Sequence, residues 1–84
     1  MIHHERIDTC NGFALYHDTE RHTFRVVSVD HCMGKAYSVM PSDGPRDGGQ
    51  WFAPLTDEGL RYVARGYSRS YARRMFRKLS TEFA

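Results

Sequence analysis

Cysteine, proline and tryptophan are scarce in this chain, with two, three and one of them among 84 residues. Two thiols cannot build the cysteine-dense framework that staples small secreted domains, so Cys10 and Cys32 are expected to be free and reduced. No apolar run approaches the ~18 residues that a membrane-spanning helix requires. The opening MIHHER has no apolar stretch of the kind that directs secretion. A cytoplasmic protein without membrane contact is the expectation. The length leaves no room for a second domain, so residues 1–84 read as a single domain with a thin interior. Mean hydropathy of −0.61 and 26% charged residues are ordinary for a soluble domain of that kind.

Catalytic and metal signatures are missing as well. The five histidines, His3, His4, His17, His22 and His31, form no HExxH or HxxxH pattern, and there is no CxxC. His3 and His4 are expected to fray at the terminus, while His17 and His22 flank one turn and His31 sits in another. Residues 44–49 (GPRDGG) lack the Lys-Ser/Thr ending of a phosphate-binding loop, and no apolar strand precedes them. No catalytic residue, metal or cofactor is expected. A small ribonuclease working with Arg, His and Tyr on a sheet is the third of three functional readings.

Local signals in the first half are those of strands. Asn11-Gly12 is a two-residue hairpin signal, because both residues tolerate positive φ. It pairs residues 6–10 with 13–17, setting Cys10 opposite Phe13 and Ile7 opposite Tyr16, with Cys10 turned toward the sheet interior. Residues 23–29 (TFRVVSV) and 35–40 (KAYSVM) read as two more strands, and Cys32 lies in the 30–34 turn between them. Connections this short join antiparallel neighbours. The sheet is therefore a meander of three to four strands over residues 5–40. Residues 41–50 (PSDGPRDGGQ) are a loop, after which Trp51, Phe52 and Leu55 cap one end of the core.

Helix begins near Thr56, a good N-cap followed by Asp57 and Glu58, and extends over residues 56–83 with one interruption. Leu60, Val63, Ala64 and Tyr67 share one face. Tyr71, Ala72, Met75, Phe76, Leu79 and Phe83 share another, ~110° away around a 100°-per-residue wheel. One straight helix cannot turn both stripes to one sheet, so a break is predicted at residues 66–68, with Gly66 left-handed and Ser68 capping a second helix. The fold class is α+β, an antiparallel meander followed by two C-terminal helices (ββββαα), the last of them packed on the sheet.

The formal net charge of +2 hides a split. Residues 1–55 carry five basic and seven acidic side chains, and residues 56–84 seven basic and three acidic. All seven bases fall between Arg61 and Lys78, where no acid occurs. In the second helix Arg69, Arg73 and Arg77 form an i, i+4, i+8 ladder, and Arg74 and Lys78 extend it around the back. Like charges at that spacing repel, so stability alone does not select them. Arginine, which grips phosphate and carboxylate with two donors at once, fills six of the seven places. The candidate partner-binding residues are therefore Arg61, Arg65, Arg69, Arg73, Arg74, Arg77 and Lys78, with Tyr62 and Tyr67 beside them. A merely solvated helix face is the alternative.

Residues 66–79 (GYSRSYARRMFRKL) resemble the turn and recognition helix of helix-turn-helix DNA-binding proteins. The resemblance implies groove-facing roles for Ser68, Arg69, Ser70 and Arg73. Arg61 departs from the pattern, standing near a place where a small buried residue is expected. In size and surface character the chain also resembles small phage-encoded inhibitors, of host-takeover or anti-CRISPR type, that block nucleic-acid-handling complexes. The leading expectation is a non-enzymatic binding module, monomer or dimer. Its partner would be nucleic acid or a nucleic-acid-handling protein complex with an acidic surface. A helix-turn-helix regulator is second.

Overall fold

The computed structural model describes residues 3–39 and 52–82; the expected loop at 41–50 and the side chains of Met40, Trp51 and Phe83 lie outside them. Five strands, β1 (His4–Cys10), β2 (Phe13–Asp18), β3 (Thr23–Asp30), β4 (Lys35–Tyr37) and β5 (Phe52–Pro54), form one antiparallel sheet in chain order. Two helices follow, α1 (Asp57–Val63) and α2 (Arg69–Glu82). The α+β class and the two C-terminal helices agree with expectation. The fifth strand was not foreseen: Phe52 pairs with Tyr37 and Ala53 with Ala36, adding an edge strand where a core cap was expected. Pro54, with no N–H to donate, is tolerated at such an edge.

The Asn11-Gly12 turn has φ of 52° and 84° at its two residues, as a type I′ hairpin requires, and Cys10 faces Phe13. Farther along the hairpin the expected register fails. Arg6, not Ile7, lies opposite Tyr16, because β1 has a bulge between Arg6 and Asp8. The extra residue shifts the phase of the strand's first half. Without it Glu5 would lie across from Asp18 and set two carboxylates together; with it His4 takes that place. His4 is accordingly ordered in β1 and buried, not frayed.

The side chains of the sheet alternate between two cores. Ala14, Tyr16, Val27, Ala36 and Ala53 pack with Leu60, Val63 and Ala64 on the α1 face. Leu15, Phe24 and Val26 pack with Ala72 and Phe76 on the other. The helices thus cover opposite faces, and the sheet lies between them. Tyr67 belongs to the second core, not to the stripe of Leu60 and Val63. The chain changes faces through the segment 64–68. Short β4 pairs with β3 only at Ser28, Val29 and Asp30, which leaves Phe24 free to exchange backbone hydrogen bonds of 2.8 and 2.9 Å with Tyr67.

The helix break falls slightly earlier than expected. Thr56 caps α1, its hydroxyl accepting from Gly59 N at 3.1 Å, and Ala64 is already extended at φ −146° and ψ 142°. Gly66 is not left-handed. Its role is close approach: a Cβ there would stand 2.6 Å from Thr23 Cβ and Oγ1. Cys10 also departs from expectation. It is exposed, as is Cys32, because α2 covers β2 and β3 and leaves β1 outside its shadow. No helix among the described residues is long and apolar enough to cross a membrane.

Candidate binding surface

Ser68 opens α2, its carbonyl accepting from Ala72 N at 2.9 Å and its hydroxyl from Tyr71 N at 3.4 Å. The helix buries Ala72, Phe76 and Ser80, and Met75 and Leu79 in part. Five cations then have nowhere to go but outward, and Arg69, Arg73, Arg74, Arg77 and Lys78 are all exposed. Among the described residues only Lys78 has an acidic neighbour, Glu82 at 4.0 Å. Arg69 lies over the Phe24 ring, 5.4 Å from its centroid. Tyr71 is exposed beside these bases, its ring 4.8 Å from that of half-buried Tyr67.

The remaining candidates lie elsewhere. Arg65 is exposed in the segment between the helices, and Tyr62 is exposed on α1, across the sheet from α2. Arg61 is already occupied. Its Nε and Nη2 donate to Asp18 Oδ2 and Oδ1 at 3.0 Å each, and Nη2 also reaches Glu20 Oε1 at 3.0 Å. A guanidinium held by two carboxylates is not a docking group for a third. Arg61 and Tyr62 therefore do not join the α2 surface.

Asp18 is the centre of a charged network that sequence reasoning missed. Its carboxylate is fully buried and meets Arg61, Arg25 Nη2 at 3.3 Å and His4 Nε2 at 3.5 Å. The backbone amides of Glu20 and Arg21 also donate to it, at 3.1 Å each. Arg61's hydrogen bonds hold the Asp18 carboxyl well below the usual carboxylate range, overcoming the upward push of burial. Asp57 extends the chain of contacts. It accepts from His4 Nδ1 at 2.7 Å and from the His3 amide, and these bonds lower its pKa too. The network ties β1, β2, β3 and α1 together. Its one advance signal is that Asp18 continues the alternation of Ala14 and Tyr16, which points it inward.

Near α1 a recess of about 510 Å³ has Glu20, Asp57 and Glu58 among its lining residues. On the α2 side a cleft of about 360 Å³ lies between the helix and β1, with Arg73 and Arg77 on its helix wall. Among the described residues no cluster of His, Cys, Asp and Glu has the arrangement of a metal site. Comparison with protein-family models, with curated proteins and with solved structures finds no match.

Proposed function

We propose that this chain is a non-enzymatic binding module whose α2 ridge docks on nucleic acid or on the acidic surface of a nucleic-acid-handling protein complex. The supporting observation is the set of four arginines on α2, all exposed and none with an acidic partner among the described residues. Unpaired cations in one field attract a polyanion and raise its rate of encounter. An inhibitor of the kind that phages encode, acting by occlusion as a monomer, suits a domain this small.

The helix-turn-helix reading is favoured less. In that motif the recognition helix is braced by the helix before it. Here the sheet separates α1 from α2, and the brace on α2 is β2 and β3.

The test is the triple variant Arg69→Glu, Arg73→Glu, Arg77→Glu, set against the wild type in partner capture from lysate with and without nuclease. Loss of the captured partner supports the reading, and full retention overturns it. Salt titration then separates the two partner types. About four bases on duplex phosphates give a slope of log K against log salt of roughly −3.6. An acidic protein surface gives a shallower one.

A further inference from the structure

Helix α2 runs beside β1 and in the same direction. Its first residue, Arg69, lies over Phe24, which pairs with His17, and His17 in turn pairs with Glu5 near the start of β1. Its far end meets the β1–β2 turn, where Asn11 Nδ2 donates to Ser80 O at 2.7 Å. The helix packs on β2 and β3 but not over β1, and the cleft opens in the space left. Ile7, Leu15 and Phe76 give it an apolar lining, Asp8 stands on the strand side, and Arg73 and Arg77 on the helix side. Ile7 is 39% exposed, and it is the bulged residue.

Arg73 and Arg77 are one helical turn apart, about 6 Å along the axis. Alternate side chains of an extended peptide are about 6.8 Å apart on one side. Resting on the reading of α2 as a binding ridge, we infer that this cleft seats an extended acidic segment of a partner protein, with alternate carboxylates on Arg73 and Arg77 and apolar residues between them turned toward Ile7. Nucleic acid fits the cleft less well. It carries a phosphate at every step, and Asp8, with Glu5 on the same face of β1, repels that charge from the strand wall. A peptide can direct all its carboxylates to the arginine side. The bulge also spoils β1 as a template for a further strand, so recognition here is by side chains in the cleft and not by sheet extension.

Cys10 lines the cleft and is exposed, which supplies a way to block it. In the full chain with Cys32→Ser, Cys10 is alkylated with N-phenylmaleimide. Binding is then measured for a short peptide of alternating Glu and Val, its Gln–Val counterpart, and an oligouridylate. The Glu–Val peptide is expected to bind and the Gln–Val peptide to fail. Arg73→Gln with Arg77→Gln should weaken the Glu–Val peptide by roughly two- to thirtyfold, as loss of two exposed ion pairs implies, and the Cys10 adduct, which fills the cleft, should also weaken it. Arg21→Gln, which removes a cation outside the cleft, should leave it unchanged. Unaltered far-UV circular dichroism shows that each loss is not unfolding. If the adduct has no effect while Arg69→Glu, Arg73→Glu, Arg77→Glu abolishes peptide binding, the ridge binds but the cleft is not the seat, and the inference falls alone. Binding of the oligouridylate in place of the peptide overturns the choice of occupant. Indifference of both probes to the triple variant overturns the ridge reading itself.

Discussion

Asp18 and Gly66 show how much a single position can carry in a domain this small. A buried carboxylate shared by Arg61, Arg25 and His4 adds little net stability over an apolar substitute, but removing its charge strands the groups around it. Asp18→Asn is expected to destabilise by about 3 kcal/mol or more. The pH dependence follows from the lowered carboxyls of Asp18 and Asp57. Their contribution is complete above the ordinary carboxylate pKa of about 3.9 and is lost as pH falls below it toward their depressed folded values. The urea midpoint should therefore drop on acidification below about pH 4, and the drop should be shallower in Asp18→Asn. Equal acid limbs in the two proteins would contradict the network. At Gly66 the geometry predicts a loss of about 1–3 kcal/mol for Gly66→Ala, as overpacking against Thr23 commonly gives. A raised urea midpoint would show instead that the contact relaxes at no cost.

At the scale of elements, the two helices divide the labour. Seven-residue α1 is too short to persist alone and is held by its Thr56 cap, its packing on β4 and β5, and the ion pairs of Arg61 and Asp57. Its Asp57 and Arg61 are both held by internal partners. Fourteen-residue α2 buries one stripe and leaves its four arginines without an acidic partner among the described residues. The triple variant Arg69→Glu, Arg73→Glu, Arg77→Glu separates these roles. It loses the Arg69–Phe24 contact, worth about 0.5–1 kcal/mol at an exposed site. The pairs 69/73 and 73/77 stay like-charged, now acid on acid, while position 77 gains an opposite charge beside Arg74 and an acid enters the first turn, each worth a few tenths of a kcal/mol. The terms nearly cancel, so thermal unfolding should shift little, and far-UV circular dichroism should be unchanged. A large fall in Tm would mean that the arginines support the fold and would remove them as a free surface.

The whole molecule is one sheet with a core on each side, and neither core can form without the strands that the other needs. Val26 and Val27 are neighbours on β3 that point into different cores. Val26→Ala and Val27→Ala should each cost about 2 kcal/mol, the burial of two methylene equivalents. Both should lower a single cooperative transition, with circular dichroism and tyrosine fluorescence coinciding. An intermediate that keeps one helix layer would show that the cores are separable. The same coupling separates what was legible in the sequence from what was not. The Asn11-Gly12 turn, the first four strands in order, the Thr56 and Ser68 caps and the cationic run are local properties, set by φ preferences, periodicity and charge within a few residues. The sequence by itself determined those. Only the tertiary structure decided that Ile7 bulges, that β5 joins the sheet, that the helices take opposite faces, and that Arg61 is consumed while Arg73 and Arg77 stay free. Those outcomes depend on partners far along the chain, Asp18 lying 43 positions from Arg61 and His4 lying 53 from Asp57. Which buried charge finds which counter-charge is settled only when the sheet brings them together.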